Sequence, residues 1–125
     1  MTQDRDAVDP ARFLPLSPQQ FEILLALIDQ DLHGYGIIRD VSERTAGSVR
    51  LGTGALYTAI ARMVTTGLIR ETNRRDETDA RRRYYALTHL GRRILAAETA
   101  RLETLVSKAR QKGVRPASTS IKVRP

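Results

Sequence analysis

The chain has 125 residues, a net charge of +7 and no cysteine, and these facts exclude several classes of protein. A chain of this length forms one domain with a modest core, and without cysteine it has no disulfide, no cysteine zinc site and no thiol chemistry. No stretch approaches the roughly 18 to 20 apolar residues that cross a bilayer, and the N-terminus does not resemble a signal peptide, so a cytoplasmic protein is expected.

The positive charge is concentrated in the second half of the chain. Residues 13–49 carry two arginines against five acids, whereas residues 50–93 carry ten arginines against four acids. From Ser107 onward there are six basic residues and no acid. A clustered basic segment is typical of proteins that bind a polyanion such as nucleic acid. Charge alone does not separate that interpretation from a basic surface that serves solubility.

The composition of the two ends predicts disordered tails. Residues 1–12 are polar and lack an apolar period, and residues 111–125 mix Gly, Pro, Ser, Lys and Arg. Between them, we expect a domain of helices and a hairpin over residues 13–88, followed by a long helix over residues 89–110.

The first two helices are predicted in the acidic part of the chain. Ser17 is expected to cap the first helix in a capping box with Gln20, with Pro18 at its first position. The apolar positions of this helix follow a helical period, namely Phe21, Leu24, Leu25 and Ile28. Residues 33–36 are expected to form a turn before the second helix, which should end with Gly47 at the C′ position.

The third helix is predicted to start near Thr53, as its cap, and to end at Gly67. Its buried face is predicted to be Leu56, Ala59, Ile60, Met63 and Val64. The opposite face carries Tyr57, Thr58, Ala61, Arg62 and Thr65. Such a face suits a helix in a DNA groove, because small side chains permit close approach while hydroxyl groups and arginine can meet phosphates and base edges.

A β-hairpin with a charged loop is predicted next. The runs 68–72 and 83–87 contain β-branched and aromatic residues that favour strands. Five arginines lie in or beside the loop that joins them, namely Arg74, Arg75, Arg81, Arg82 and Arg83.

Thr88 is expected to cap the final helix, which at ~1.5 Å per residue would be about 30 Å long. The apolar stripe of this helix is longer than one small domain can cover, and the uncovered part of the stripe predicts a homodimer. The fold class is therefore mainly α with a two-stranded β-hairpin, a winged helix-turn-helix followed by a long C-terminal dimerisation helix.

Several blocks of the sequence resemble the PadR family of transcription regulators. The blocks are Leu16–Pro18, His33–Ile38, Leu51–Tyr57 with Ile60 and Met63, Gly67–Ile69, and Arg83–Thr88 with Leu90 and Gly91. They are collinear over about residues 14–105. Two features depart from the family pattern: many members have proline where this chain has Thr58, and the chain ends soon after the fourth helix, as in a short-tailed branch.

The resemblance implies a dimeric repressor whose third helix enters the major groove of a pseudo-palindromic operator. Five residues would then lie on the recognition helix: Thr53, Gly54, Tyr57, Thr58 and Arg62. The five arginines of the hairpin would contact the DNA backbone or the minor groove. The first and last helices would form the dimer interface, for which the expected residues are Phe13, Phe21, Leu90, Ile94, Leu95, Leu102, Leu105 and Val106.

Individual residues allow more than one interpretation. Tyr57 is expected to contact DNA more than to pack beside the second helix, whereas Tyr35 is expected in the core. His33 and His89 are isolated, and a metal site needs three or four clustered ligands, so no metal and no other cofactor is expected. A small apolar effector at the dimer interface remains an option. The chain has no Trp and only two Phe, so any such pocket would be aliphatic.

Two other classes of function are alternatives to DNA binding. A winged helix can instead contact a protein or RNA, but such a module has no need of an arginine-rich wing beside a helix face of small residues. An enzyme is not expected, because the sequence contains no phosphate-binding loop, no dinucleotide-binding motif and no nucleophile elbow.

Overall fold

A computed structural model describes residues 8–117, which form four α-helices and a small antiparallel sheet. In chain order the elements are α1 (Pro18–Ala26), β1 (Leu32–His33), α2 (Gly34–Arg44), α3 (Thr53–Thr65), β2 (Ile69–Glu71), β3 (Tyr84–Leu87) and α4 (His89–Gln111). The order of helices, hairpin and long final helix is the predicted one. None of these helices is long and apolar enough to cross a membrane.

The N-terminal segment is more ordered than its composition predicts. Residues 1–7 lie outside the described part of the chain, but Asp9 caps a 3₁₀ helix over Pro10–Phe13 that packs on α4. Val8 and Phe13 pack against the core, so the expected disorder is wrong for residues 8–12. The apolar side chains of Val8 and Phe13 thus attach to the core a segment whose composition predicts a disordered tail.

α1 begins as its sequence predicts. The Ser17 hydroxyl oxygen accepts the Gln20 N–H at 3.1 Å, and the Gln20 side chain accepts the Ser17 N–H at 3.0 Å. The capping box is complete, with Pro18 at the first helical position. An ion pair joins α1 to α2, because the Nη1 atom of Arg44 in α2 lies 2.7 Å from Oε1 of Glu22 in α1.

Both ends of α2 differ from the prediction. Residues 34–36 form the first helical turn and not a separate turn, because the Nδ1 atom of His33 accepts the Gly36 N–H at 3.0 Å and caps the helix. At the other end, the C′ residue is Ala46 with φ of 52°, and Gly47 follows with φ of 80°. The Gly47 N–H donates to the Ser42 carbonyl at 2.8 Å, which completes a Schellman motif one residue earlier than expected.

α3 buries a narrower face than predicted. Leu56, Ile60 and Met63 are buried, whereas Ala59 is only partly buried and Val64 is 39% exposed. The last two lie at the margins of the apolar stripe, where the core no longer covers them. The capping prediction is also wrong, because Gly52 occupies the N-cap position and Thr53 is the first helical residue.

The sheet has three strands in the order β1-β3-β2, one more than the predicted hairpin. β2 and β3 pair with Ile69 opposite Leu87, and the two residues of β1 pair with the other edge of β3. A strand of two residues is too short to show an alternating pattern, so no sequence pattern predicts it. The consequence is that β3 lies in the middle and is buried along its length.

α4 divides into a buried half and an exposed half. Leu90, Ile94 and Leu95, which were predicted for the dimer interface, are buried in the core of the protomer and leave little side-chain surface for a partner. From Leu102 onward almost every side chain is exposed. Thr88 caps the helix as predicted, accepting the Gly91 N–H at 3.0 Å. Residues 118–125 of the predicted basic tail lie outside the described residues.

A buried carboxylate, missed in the sequence, joins α4 to the N-terminal segment. Glu98 is 2% exposed and accepts the Leu16 N–H at 3.2 Å and two hydrogen bonds from Arg101 at 2.6 and 2.9 Å. The Arg101 guanidinium, helped by the Leu16 N–H, holds the pKa of Glu98 below its usual value. The charge is thus compensated where it is buried.

Candidate nucleic-acid interface

The predicted recognition residues are exposed on α3. One side of the helix enters the core, and the other side is exposed. The exposed side carries Thr53, Gly54, Tyr57, Thr58 and Arg62. A Cβ atom built on Gly54 would have no neighbour within 4 Å, so this part of the helix is open to a close partner. The face combines hydroxyl groups, an arginine and accessible backbone, the groups that meet phosphates and base edges.

Tyr57 has two roles in the geometry. Its ring covers Gly34 at the start of α2 so closely that any side chain at Gly34 would collide with it. The same side chain is about half exposed. The residue therefore packs its hydroxyl end against the start of α2 and still leaves about half of its surface exposed, so the two interpretations of Tyr57 are compatible.

Three of the five hairpin arginines are available to an external anion. Arg75 is exposed, and the Arg81 side chain is 91% exposed although its Nε lies 3.2 Å from Asp79 Oδ1. Arg83 is half exposed and pairs across the hairpin with Glu71 at 3.2 Å. Exposed ion pairs of this kind contribute only about 0–1 kcal/mol, so a phosphate can replace the carboxylates at little cost.

The other two arginines are engaged within the protein. The Arg74 guanidinium lies 4.2 Å from the centre of the Tyr84 ring, a cation–π geometry. Arg82 Nη1 lies 3.0 Å from Asp76 Oδ2 and 3.1 Å from His33 Nε2. The hydroxyl of Thr78, together with its N–H and the Arg82 guanidinium, lowers the pKa of Asp76 to about 2. Asp76 is therefore ionised at neutral pH.

A cleft of about 390 Å³ separates the hairpin from the N-terminal ends of α2 and α3. It is lined by His33, Gly34, Tyr35, Tyr57, Asp79, Arg81, Arg82, Arg83 and Tyr85. A second groove of about 470 Å³ runs between the start of α1 and the exposed face of α3, along Thr58 and Arg62. Together the two grooves flank α3 on both sides.

Two residues of the cleft were not predicted for it. Tyr35 was expected in the core, but it is 54% exposed and stacks under Arg39 at 5.6 Å. Its position in the first turn of α2 follows from the His33 cap, whereas the sequence pattern predicts a separate turn at residues 33–36. His33 itself joins the helix cap to the hairpin. A histidine directly before a Gly-rich helix start was the signal that could have found it.

The described histidines are not arranged as metal ligands. Within residues 8–117, no three His, Asp or Glu side chains come together as a metal site would require. The pKa of His33 is lowered, first by burial and then by the nearby Arg82 guanidinium. The ring is therefore neutral at pH 7.

The predicted dimer surface is reduced to the side chains that the protomer leaves uncovered. Phe13 and Phe21 are partly buried, and Leu102, Leu105 and Val106 are exposed along the second half of α4. An apolar groove of about 400 Å³ lies between the end of α1 and α4, lined by Leu25, Ile28, Leu95, Ala96 and Thr99 together with Arg92, Ala100 and Glu103.

The fold is a winged helix-turn-helix, a DNA-binding class of protein. Three helices precede a basic hairpin, and the third of them exposes a face of small side chains. The family comparison is consistent with that class, because residues 23–97 match the model of the transcriptional regulator PadR-like family. The chain belongs to the PadR-like family of transcriptional regulators, whose members are DNA-binding regulators and not enzymes.

Individual proteins of known sequence or structure are similar to this chain. An uncharacterized 37.1 kDa protein in transposon TN4556 of Streptomyces fradiae is 40% identical over 79 residues, which make up 63% of this chain and 21% of that protein. The chain thus spans about a fifth of that relative.

Two solved structures have the same fold at 29% identity. A transcriptional regulator from Clostridium thermocellum has a TM-score of 0.64, with 77% of this chain and 89% of that one covered. A PadR family transcription regulator from Clostridium difficile has a TM-score of 0.63, with 74% and 94% covered.

Proposed function

We propose that this protein is a repressor that binds a pseudo-palindromic operator as a homodimer. The observation that carries the DNA site is the cleft between the hairpin and α3, because hydrogen-bonding groups of the helix and cations of the hairpin border the same space. Tyr57 of α3 lines it together with Arg81 and Arg83 of the hairpin. A phosphate backbone that follows the cleft would place α3 in the adjacent major groove.

Each part of the interface has its own expected contact. On α3, Thr58 and Arg62 are the proposed base-contacting residues, while Thr53, Gly54 and Tyr57 lie near the phosphates. On the hairpin, Arg74, Arg75, Arg81, Arg82 and Arg83 make the basic surface; of these, Arg75, Arg81 and Arg83 are free to contact phosphates directly. Tyr35, at the start of α2, adds a hydroxyl group to the same surface, where a helix N-terminus also favours an anion.

The dimer is proposed to form through α1 and α4. The exposed Leu102, Leu105 and Val106 of one protomer would pack against its partner, with the apolar groove beside Leu25 and Ile28 at the same interface. To read two half-sites, such a dimer must hold its recognition helices about one DNA turn apart, ~34 Å. The groove is also the proposed place for a small apolar effector, if the protein has one. As a chromosomal DNA binder, it is expected in the cytoplasm, at the nucleoid.

The DNA proposal is tested by fluorescence anisotropy on DNA from upstream of the protein's own gene, measured over a salt series. Each phosphate contact that is lost should reduce the slope of log K against log salt by about one. We expect Arg81→Gln and Arg83→Gln each to do so, whereas Arg62→Gln should reduce the preference for the operator over random DNA.

Arg12→Gln is the matched control, because Arg12 is also an exposed arginine but lies on the N-terminal segment beside α4. It should leave the salt slope unchanged. The proposal is wrong if the wild-type protein fails to bind at ~50–100 mM salt. If another protein or an RNA binds equally well to the Arg81 and Arg83 variants, the winged helix serves that partner instead.

A further inference from the structure

We propose that Asp76, Arg82 and His33 form a brace that fixes the wing, the hairpin loop 72–83, against the start of α2. Arg82 is then a positioning residue for DNA binding and not itself a phosphate contact. The inference rests on the proposed DNA binding, and it changes the role of one arginine that the sequence groups with its neighbours.

The geometry distinguishes Arg82 from the other arginines of the wing. Arg81 pairs with Asp79 in the same loop, and Arg83 pairs with Glu71 on the facing strand. Arg82 alone among the five hairpin arginines contacts the residue that caps α2, because its Nη1 atom lies 3.1 Å from His33 Nε2 and 3.0 Å from Asp76 Oδ2 within the wing. Its side chain is 39% exposed, less than half as much as that of Arg81.

Asp76 is held in place on the wing side of the brace. One carboxylate oxygen accepts the Thr78 N–H at 2.8 Å and the Thr78 hydroxyl at 2.6 Å. The other oxygen is left for Arg82 at 3.0 Å. The carboxylate is therefore oriented before it meets the guanidinium, and the Asp76 side chain is only 13% exposed.

His33 is equally constrained on the helix side. Its backbone pairs with Tyr84 in the sheet, its ring meets the Tyr84 ring edge-on at 5.1 Å, and its Nδ1 caps α2. Both ring nitrogens face N–H donors, yet a neutral imidazole accepts at only one nitrogen at a time. When Nδ1 accepts the Gly36 N–H, Nε2 carries the proton and the ring packs against the guanidinium without a hydrogen bond; in the other tautomer Nε2 accepts from Arg82. Asp76 accepts from Arg82 in both tautomers, while the His33 ring limits where the guanidinium can lie.

When the Asp76 charge is removed, the brace predicts a change in DNA affinity opposite in sign to the change that electrostatics alone predicts. If Asp76 acted only through its charge, its removal would strengthen binding to polyanionic DNA. If Asp76 positions the wing, the same removal weakens binding. The test therefore compares Asp76→Asn with Glu77→Gln, which removes the neighbouring, exposed acid outside the brace.

In the anisotropy assay, we expect Asp76→Asn to weaken operator binding by about five- to tenfold, and Glu77→Gln to leave it unchanged or tighter. Arg82→Gln should weaken binding to a similar extent with an unchanged salt slope, and the double variant should be no weaker than either single one. His33→Asn should also weaken binding, because asparagine can cap α2 but is too short to reach Arg82.

The proposal is overturned if Asp76→Asn binds as tightly as Glu77→Gln, or if Arg82→Gln lowers the salt slope by about one, as loss of a phosphate contact would. Amide hydrogen exchange in the DNA-free protein tests it without DNA. Exchange in the wing should accelerate in Asp76→Asn and Arg82→Gln and not in Glu77→Gln. If the wild-type protein binds no DNA, the proposed function fails, while the exchange measurement still decides whether the brace exists.

Discussion

Ala46 adopts a left-handed backbone conformation that alanine rarely takes. It occupies the C′ position of α2 with φ of 52°, where glycine is the usual residue. The Cβ atom of alanine destabilises this conformation by roughly 1–2 kcal/mol. Replacement by glycine removes that strain, but part of the gain is lost because glycine has more conformational freedom in the unfolded chain. We therefore expect Ala46→Gly to raise the free energy of unfolding by about 0.5–1 kcal/mol, as measured by urea denaturation.

Ala61→Gly is the matched control for Ala46→Gly. Ala61 is exposed in the middle of α3, where the backbone is helical, and the same substitution there should lower the free energy of unfolding by about 0.5–1 kcal/mol. The two variants should thus differ in sign. Destabilisation at both positions would show that Ala46 is not strained.

Single residues of the site differ in how far they could be predicted. The exposed face of α3 was predictable, because the helical period of Leu56, Ile60 and Met63 defines which side faces outward. The roles of Arg74 and Arg82 were not predictable. They depend on Tyr84, Asp76 and His33, which only the folded hairpin and β1 bring within contact distance.

At the scale of elements, the first turn of α4 lies directly against Leu68, the residue before β2. A Cβ atom on Gly91 would collide with the backbone carbonyl of Leu68, an atom that cannot rotate away. The same carbonyl accepts the Thr88 N–H at 3.1 Å, so the hairpin and the helix start are joined there. We expect Gly91→Ala to lower the free energy of unfolding by about 1–3 kcal/mol through this overlap, as seen by chemical denaturation.

Gly54→Ala separates this overlap from the general effect of alanine in a helix. Gly54 lies in the first turn of α3 and has no neighbour within 4 Å of an added Cβ. Its replacement should increase stability by up to about 1 kcal/mol. If Gly91→Ala were also stabilising, α4 would have to shift easily on the sheet, contrary to the packing described here.

Elements were predicted well where their signals are local. The capping box of α1 and the Thr88 cap of α4 depend on residues within three positions of each other, and both formed as expected. β1 could not be predicted, because its two residues become a strand only by pairing with β3. Val64 was misplaced because the width of a buried face depends on the neighbouring elements, not on the helix alone.

At the scale of the whole molecule, the second half of α4 is left almost entirely uncovered by the rest of residues 8–117. The apolar period along α4 predicted a stripe, but not where the core ends and the free surface begins. The boundary lies between the buried Leu95 and the exposed Leu102, close to Glu98 and its contact with Leu16. Only the fold shows this division, since the same kind of side chain occurs on both sides of it.

The free half of α4 gives the last prediction, which concerns assembly. Leu105 is 47% exposed on the projecting part of the helix, so Leu105→Glu should not disturb the core of a protomer. If α4 forms the dimer interface, a buried carboxylate there would be unpaired and the dimer should dissociate. Sedimentation velocity should show a monomer at concentrations at which the wild-type protein is a dimer, with an unchanged circular dichroism spectrum.

Val114→Glu provides the control, because Val114 is at least as exposed but follows the end of α4. It should remain dimeric. Loss of the dimer should also weaken operator binding by about 10²- to 10⁴-fold, since two linked recognition helices bind with a high effective concentration that a monomer lacks. A Leu105→Glu protein that stays dimeric would place the interface elsewhere. One that becomes monomeric yet binds the operator at full strength would mean that a single protomer occupies the site.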